Sequence, residues 1–390
     1  MKKVFAKFRP VHFVLTGGIF VSLVAFISCS KEVGSNVNFG LNPAIKTNPV
    51  LPSQPYSYNV GGDNNLTTLG RVLFYDKNMS GDGSVSCASC HQQVNAFSDN
   101  KPFSFGFNGE KTARNAHAII NTGNSLFWDG KIDNPVSSGS SGYEHAASTA
   151  ITVPLNTHAE LNMPDPGMLV QRLSSLPYYA YLADKVNNNR QLDFFMIENA
   201  LGAFMANISA DKSKYKQAFP SSGAPTASLT QRETNGMNIF NGKGKCYLCH
   251  LPQNNFSGNP GQFEDIGLDS AAYTDTGRET VTHNWSDRGK FHVPSLMNIA
   301  LTAPYMHDGR FSKLEDVIDF FSDGVKNSPN ISSAFSLHPS SDGNGGYYTG
   351  GLVVHPNLTA SEKADLLAFL QTLTDASVTT DVRLSDPFRH

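Results

Sequence analysis

Two short segments of one pattern, Cys87-Ala88-Ser89-Cys90-His91 and Cys246-Tyr247-Leu248-Cys249-His250, constrain this chain more than any other feature in it. The sequence holds five cysteines, and these segments use four of them. A disulfide framework needs no histidine in step with each pair, and a redox Cys-x-x-Cys does not normally carry that histidine twice. Cys-x-x-Cys-His is the attachment pattern of c-type haem, because both thiols reach the vinyl groups while the adjacent imidazole reaches the iron. The repeat predicts two covalently bound haem c groups, held by Cys87, Cys90, Cys246 and Cys249, with His91 and His250 as iron ligands.

The fifth cysteine belongs to a targeting segment. Lys2, Lys3, Lys7 and Arg9 precede an apolar run from Phe13 to Ile27, which is short for a membrane span. The stretch Phe26-Ile27-Ser28-Cys29 resembles a bacterial lipobox, with Phe26 where leucine is usual. A lipoprotein signal over 1–28 is expected, then a mature chain starting at lipidated Cys29 and a flexible tether over 29–62. That chain would sit in the periplasm, anchored to the cell envelope at the outer membrane. An uncleaved anchor helix is the alternative.

With 390 residues, 39% of them hydrophobic, the chain can build two cores of ordinary size. Its 30 basic residues against 33 acidic ones give no electrostatic reason for a nucleic-acid partner. Leu66, Leu69, Val72, Leu73 and Phe74 keep helical spacing ahead of the first motif, and Leu192 to Ile208 reads as a core helix. Thr230 with Glu233, and Thr359 with Glu362, are capping boxes that open helices before and after the second motif. No alternating run argues for a large sheet. The expected class is therefore all-α, with two cytochrome c-type haem domains over 63–226 and 227–378, long loops, and a tail over 379–390. The run Ser137-Ser138-Gly139-Ser140-Ser141-Gly142 reads as a surface loop.

From about Leu69 to Thr374 the chain resembles the bacterial dihaem cytochrome c peroxidase and MauG family. The markers are Leu69-Gly70-Arg71-Val72-Leu73-Phe74-Tyr75, both haem motifs, Arg114-Asn115, Phe127-Trp128-Asp129-Gly130 and Thr302-Ala303-Pro304-Tyr305-Met306-His307-Asp308-Gly309. The resemblance implies that hydrogen peroxide reacts at the His91 haem. Electrons would enter at the His250 haem from a small cytochrome c or cupredoxin. Glu160, six residues after Pro154, matches the acid-base glutamate, and Trp128 matches the aromatic relay between the haems. His307 matches a propionate contact, Asn121, Thr302 and Pro304 match a calcium site, and a homodimer is a further possibility of the family.

The chain also departs from that pattern. Ala150 stands where the family has a glutamine, which leaves Asn156 and His158 as other polar groups for the distal pocket. Phe107 replaces the histidine that caps the reacting iron in enzymes needing reductive activation, so that iron is expected to be open. Phe321 occupies the position of the second haem's methionine or tyrosine ligand; Met306 is an alternative ligand and a packed core methionine the competing reading. Met297 replaces an arginine. His283, His292, His338 and His355 match nothing and are expected at the surface. Three functions follow: a peroxidase drawing on a redox donor, a MauG-like oxidase of a partner protein, and a dihaem electron carrier with both irons closed.

Overall fold

Two helix crossings, built alike, hold the two motifs. The computed structural model describes residues 64–121, 127–132, 150–188, 191–259, 261–270, 272–336, 340–341, 347–348 and 353–388. The signal segment, Cys29, the tether, the 137–142 loop and His338 lie outside them.

Helix α1 (Asn64–Tyr75) buries Leu69, Val72, Leu73 and Phe74, as their spacing predicts. It crosses α2 (Phe194–Ala206) at Gly70, where a Cβ would collide with the carbonyl of Ala200. Helix α3 (Gln231–Asn241) crosses α4 (Ala360–Gln371) at Gly236, where a Cβ would collide with the carbonyl of Asp365. Both predicted capping boxes form. The Glu233 and Glu362 N–H groups donate to the Thr230 and Thr359 hydroxyls at 3.3 Å, and the Thr N–H groups donate back to the carboxylates at 2.6 and 2.7 Å.

Each crossing carries a trio of buried rings. Phe74 packs on Phe97 and Phe204 at 5.9 and 5.2 Å, and Phe240 packs on Phe256 and Phe369 at 5.6 and 5.3 Å. Phe97 and Phe256 each lie six residues beyond a motif histidine, so the ring trios tie each motif loop to its helices. Among the described residues the strands are two-residue pieces: β1 (Phe263–Glu264) pairs with β2 (Phe291–His292), and β3 (Ser340–Ser341) with β4 (Tyr347–Tyr348). The class is mostly helical.

The C-terminal residues are not an appended tail. Val378, Leu384 and Phe388 are buried, and the Tyr75 hydroxyl and Arg71 guanidinium donate to the carbonyls of Leu384 and Ser385 at 2.7 and 2.6 Å. Gln93, just past the first motif, donates to the Val378 and Asp381 carbonyls, both at 2.9 Å. The last stretch thus returns from the second motif's helices to close the core of the first.

Candidate active site

Each motif begins as a helical turn and ends on a histidine whose ring is oriented by backbone carbonyls. His91 N–H donates to Cys87 O and His250 N–H to Cys246 O, both at 2.9 Å. The chain then turns back through two consecutive left-handed residues, Ala96 and Phe97 in one copy, Asn255 and Phe256 in the other. That turn delivers the Phe97 carbonyl to His91 Nδ1 at 3.3 Å and the Phe256 carbonyl to His250 Nδ1 at 2.9 Å, where the distant Pro294 carbonyl joins it at 3.1 Å. A carbonyl only accepts, so Nδ1 holds the proton and Nε2 keeps its lone pair for a metal. Burial pushes the His91 imidazole below its ordinary value and that of His250 to about 4, so both rings stay neutral.

The thiols fit the same reading. Burial pushes Cys87, Cys246 and Cys249 up to about 12 and Cys90 to about 11, so all four are neutral thiols. Cys246, Cys249 and His250 open on a cavity of about 220 Å³ walled by Phe240, Leu296, Ile299 and Phe335. Paired neutral thiols, an imidazole with a free Nε2 and an apolar wall suit a haem.

At the first motif the decisive side chain is Glu160. Burial raises its carboxyl, opposed by the charge of Lys131. Its backbone is clamped: the Glu160 carbonyl accepts from Phe107 N–H at 2.8 Å, and a Cβ on Gly106 would collide with the carbonyl of Ala159. The Phe107 ring itself lies edge-on to the His158 imidazole at 5.3 Å. Asn156 and His158 turn to solvent instead; Asn156 donates to Thr152 O at 2.8 Å, and His158 pairs with exposed Glu110 at 3.0 Å. Ala150 is buried.

Two comparisons locate this architecture among known proteins. The model of the di-haem cytochrome c peroxidase family matches residues 64–222. A solved MauG-like protein associated with microbial copper homeostasis is 32% identical, superposes with a TM-score of 0.68, and is matched over 98% of its length and 89% of this chain. The chain belongs to the di-haem cytochrome c peroxidase and MauG family. A cytochrome-c peroxidase of Denitromonas iodatirespirans is 28% identical over 80% of this chain and 82% of its own length. The methylamine utilization protein MauG of Methylorubrum extorquens is 28% identical over 85% and 81%. A diheme peroxidase of Burkholderia thailandensis shares the fold, with a TM-score of 0.61 at 20% identity, over 86% of this chain and 93% of that one. Membership makes the protein a peroxidase-type oxidoreductase with two haem groups.

In this dihaem peroxidase the family markers converge between the motifs. Arg114 bridges Asp129 and Asp275 at 2.5 and 2.6 Å; burial would raise the Asp275 carboxyl, but the guanidinium holds it below the usual range. Asn115 N–H donates to the His307 carbonyl at 2.7 Å, and the His307 ring stacks on Phe291 at 3.8 Å. Trp128 donates from Nε1 to the Asn115 carbonyl at 3.0 Å and lines the cavity that holds His250.

Met306 and Phe321 both line that cavity, with Met306 in a left-handed conformation (φ 74°) that turns the backbone sharply between Tyr305 and His307. Thr302 and Pro304 line it too, whereas the Asn121 amide oxygen accepts from Ala210 N–H at 2.8 Å. Met297 is buried in the main core.

One surface expectation is overturned. His292 is 4% exposed and lines the cavity, because pairing of β2 with β1 turns it inward beside Trp128, whose carbonyl accepts its N–H at 2.8 Å. His283 is exposed as expected, and His355 is half-buried. His117 was not singled out by sequence. Its ring lies edge-on to Trp128 at 4.6 Å and 6.3 Å from that of His292, and neither of its nitrogens has a hydrogen-bond partner among the described residues. Burial pushes His117 to about 4 and His292 to about 3. Nothing in the sequence around His117, a lone histidine between two alanines, marks it.

Proposed function

We propose that this dihaem peroxidase reduces hydrogen peroxide at the His91 end, H2O2 + 2 e⁻ + 2 H⁺ giving two waters, with electrons entering at the His250 end from a small cytochrome c or cupredoxin. The observation that carries the assignment is the half-buried Glu160, whose carboxyl is raised by burial and whose backbone carbonyl accepts from Phe107 N–H. A haem held there by Cys87, Cys90 and His91 would supply the redox centre for the two-electron reduction. Glu160 takes the proton from the near peroxide oxygen and returns it to the far one, the transfer that makes water a leaving group. Phe107 has no lone pair and cannot close the iron. Trp128, between the motifs, passes electrons from the second site to the first.

The test is one equivalent of peroxide added to the fully oxidised protein, with the haem band followed on the millisecond scale. Immediate reaction is expected, and Phe107→His should impose a need for prior one-electron reduction. A requirement for reduction in the unaltered protein would overturn the open-iron assignment.

A second reading, oxidation of a partner protein's side chain, draws support from the 32% identical MauG-like relative. The phenylalanine at 321, where a ligating tyrosine would stand, weighs against it. Around either reaction we place haem domains at 63–226 and 227–378, a calcium ion held by the Asn121 amide and the Thr302 and Pro304 carbonyls, a homodimer, and a Cys29 lipid anchor facing the periplasm. Detergent partitioning that survives Cys29→Ala would count against the anchor.

A further inference from the structure

The first motif has a second group of redox-capable side chains that this reading does not use. Asp76, at the end of α1, is fully buried and accepts four hydrogen bonds. Its Oδ1 takes the backbone and side-chain N–H groups of Asn78, both at 2.8 Å. Its Oδ2 takes the hydroxyls of Tyr178 and Tyr179, at 2.7 and 2.8 Å.

The two phenols are neighbours in sequence at the start of the helix Pro177–Val186, and their rings lie 4.7 Å apart. They differ in depth. Tyr179 is 0% exposed, in the core against which Cys87 of the first motif packs, whereas Tyr178 is half-buried, with its ring 6.1 Å from that of Phe388. Burial, then the Asp76 charge, raises both phenols well above their ordinary value, so neither is a phenolate at any working pH. A neutral phenol loses an electron readily only if its proton has somewhere to go. Here both protons point at one carboxylate oxygen.

We propose that Tyr179, Asp76 and Tyr178 form an outlet that carries an oxidising equivalent from the first haem site to the protein surface. The proposal rests on peroxide reacting at the His91 end. Tyr179 gives one electron to the site oxidised by peroxide and its hydroxyl proton to Asp76 Oδ2. Tyr178 then gives one electron to the Tyr179 radical and its proton to Asp76, while Asp76 returns the first proton to Tyr179. The net change is one electron gained by the haem site, a neutral radical on Tyr178 and a proton on Asp76. A one-electron reductant in solution restores Tyr178, and Asp76 gives back the proton. The outlet is directional because, of the two tyrosines that donate to Asp76, Tyr179 is fully buried and only Tyr178 has exposed surface; Tyr181, exposed on the same helix, is not one of the Asp76 donors.

The experiment uses the full haem-loaded protein, one equivalent of peroxide and no donor, frozen within milliseconds for electron paramagnetic resonance. A parallel sample with a nitrone spin trap is mapped by peptide mass spectrometry. A tyrosyl radical and a trap adduct on Tyr178 are expected. Tyr178→Phe should abolish the adduct, Tyr179→Phe should lower it about tenfold or more, and both variants should consume peroxide at the parent rate. A radical signal unchanged in the double variant, or an adduct elsewhere at parent yield, would overturn the outlet while leaving the peroxide site standing. If Glu160→Gln also reacts at the parent rate and no tyrosyl signal forms, the placement of peroxide chemistry at His91 has failed, and the outlet with it.

Discussion

The two motif regions share a scaffold and differ in what surrounds the imidazole. Each has a glycine-mediated helix crossing, a phenylalanine trio, a left-handed pair of residues, and a carbonyl six residues on that receives Nδ1–H. In the first half, under the proposed reading, the reacting side is formed by Glu160, with its carboxyl raised by burial, and Phe107. At His250 there is a cavity with Met306 and Phe321 in its wall. His250 has the Phe256 and Pro294 carbonyls at 2.9 and 3.1 Å, and His91 has the Phe97 carbonyl at 3.3 Å with the backbone of His117 as its second partner. One fold thus supplies two oriented imidazoles set in different surroundings.

The contrast breaks first at Glu160. Glu160→Gln should keep both haems and lose about 10²–10⁴-fold in peroxide turnover, measured by steady-state oxidation of a reduced cytochrome. A parent rate would mean that these surroundings do not divide the chemistry.

The likeness is tested next. Gly70→Ala and Gly236→Ala each drive a methyl into a carbonyl of the crossing helix, and overpacking of this kind costs about 1–3 kcal/mol. Similar losses in denaturant unfolding are expected. A loss at one crossing alone would show that the halves are not energetic equivalents.

Acid should then reveal the imidazoles between them. The unfolded state protonates histidine near pH 6.5, whereas His117 and His292 bind protons only near 4 and 3. Between those limits the unfolded chain holds more protons, so stability is complete above about pH 6.5 and falls as pH is lowered, by on the order of 1–3 kcal/mol. His292→Phe should flatten that slope in unfolding curves taken at several pH values.

The smallest effect belongs to the caps. Thr230→Ala and Thr359→Ala should each cost about 1 kcal/mol, read as a drop in Tm.

Those caps, with the helix around Leu69 and the motifs, were legible because each depends on residues within a few positions of one another. Periodicity and side-chain chemistry suffice at that range. Glu160 and Trp128 could be marked only through resemblance, since nothing in their neighbourhoods distinguishes a buried carboxyl or a bridging indole from ordinary ones. His292 was misjudged for the same reason: alternation along a two-residue strand carries no readable period.

By itself the sequence determined the two Cys-x-x-Cys-His turns, the main helices with their caps, and the mostly helical class. Tertiary structure decided that the last residues fold back onto α1, that His117 and His292 meet Trp128, and that Tyr178 and Tyr179 share Asp76. Each of these joins groups about a hundred or more residues apart, or joins neighbours to a distant partner. Local propensity does not reach that far; burial does, because an apolar face or an unpaired polar group is stable only where another part of the chain covers it.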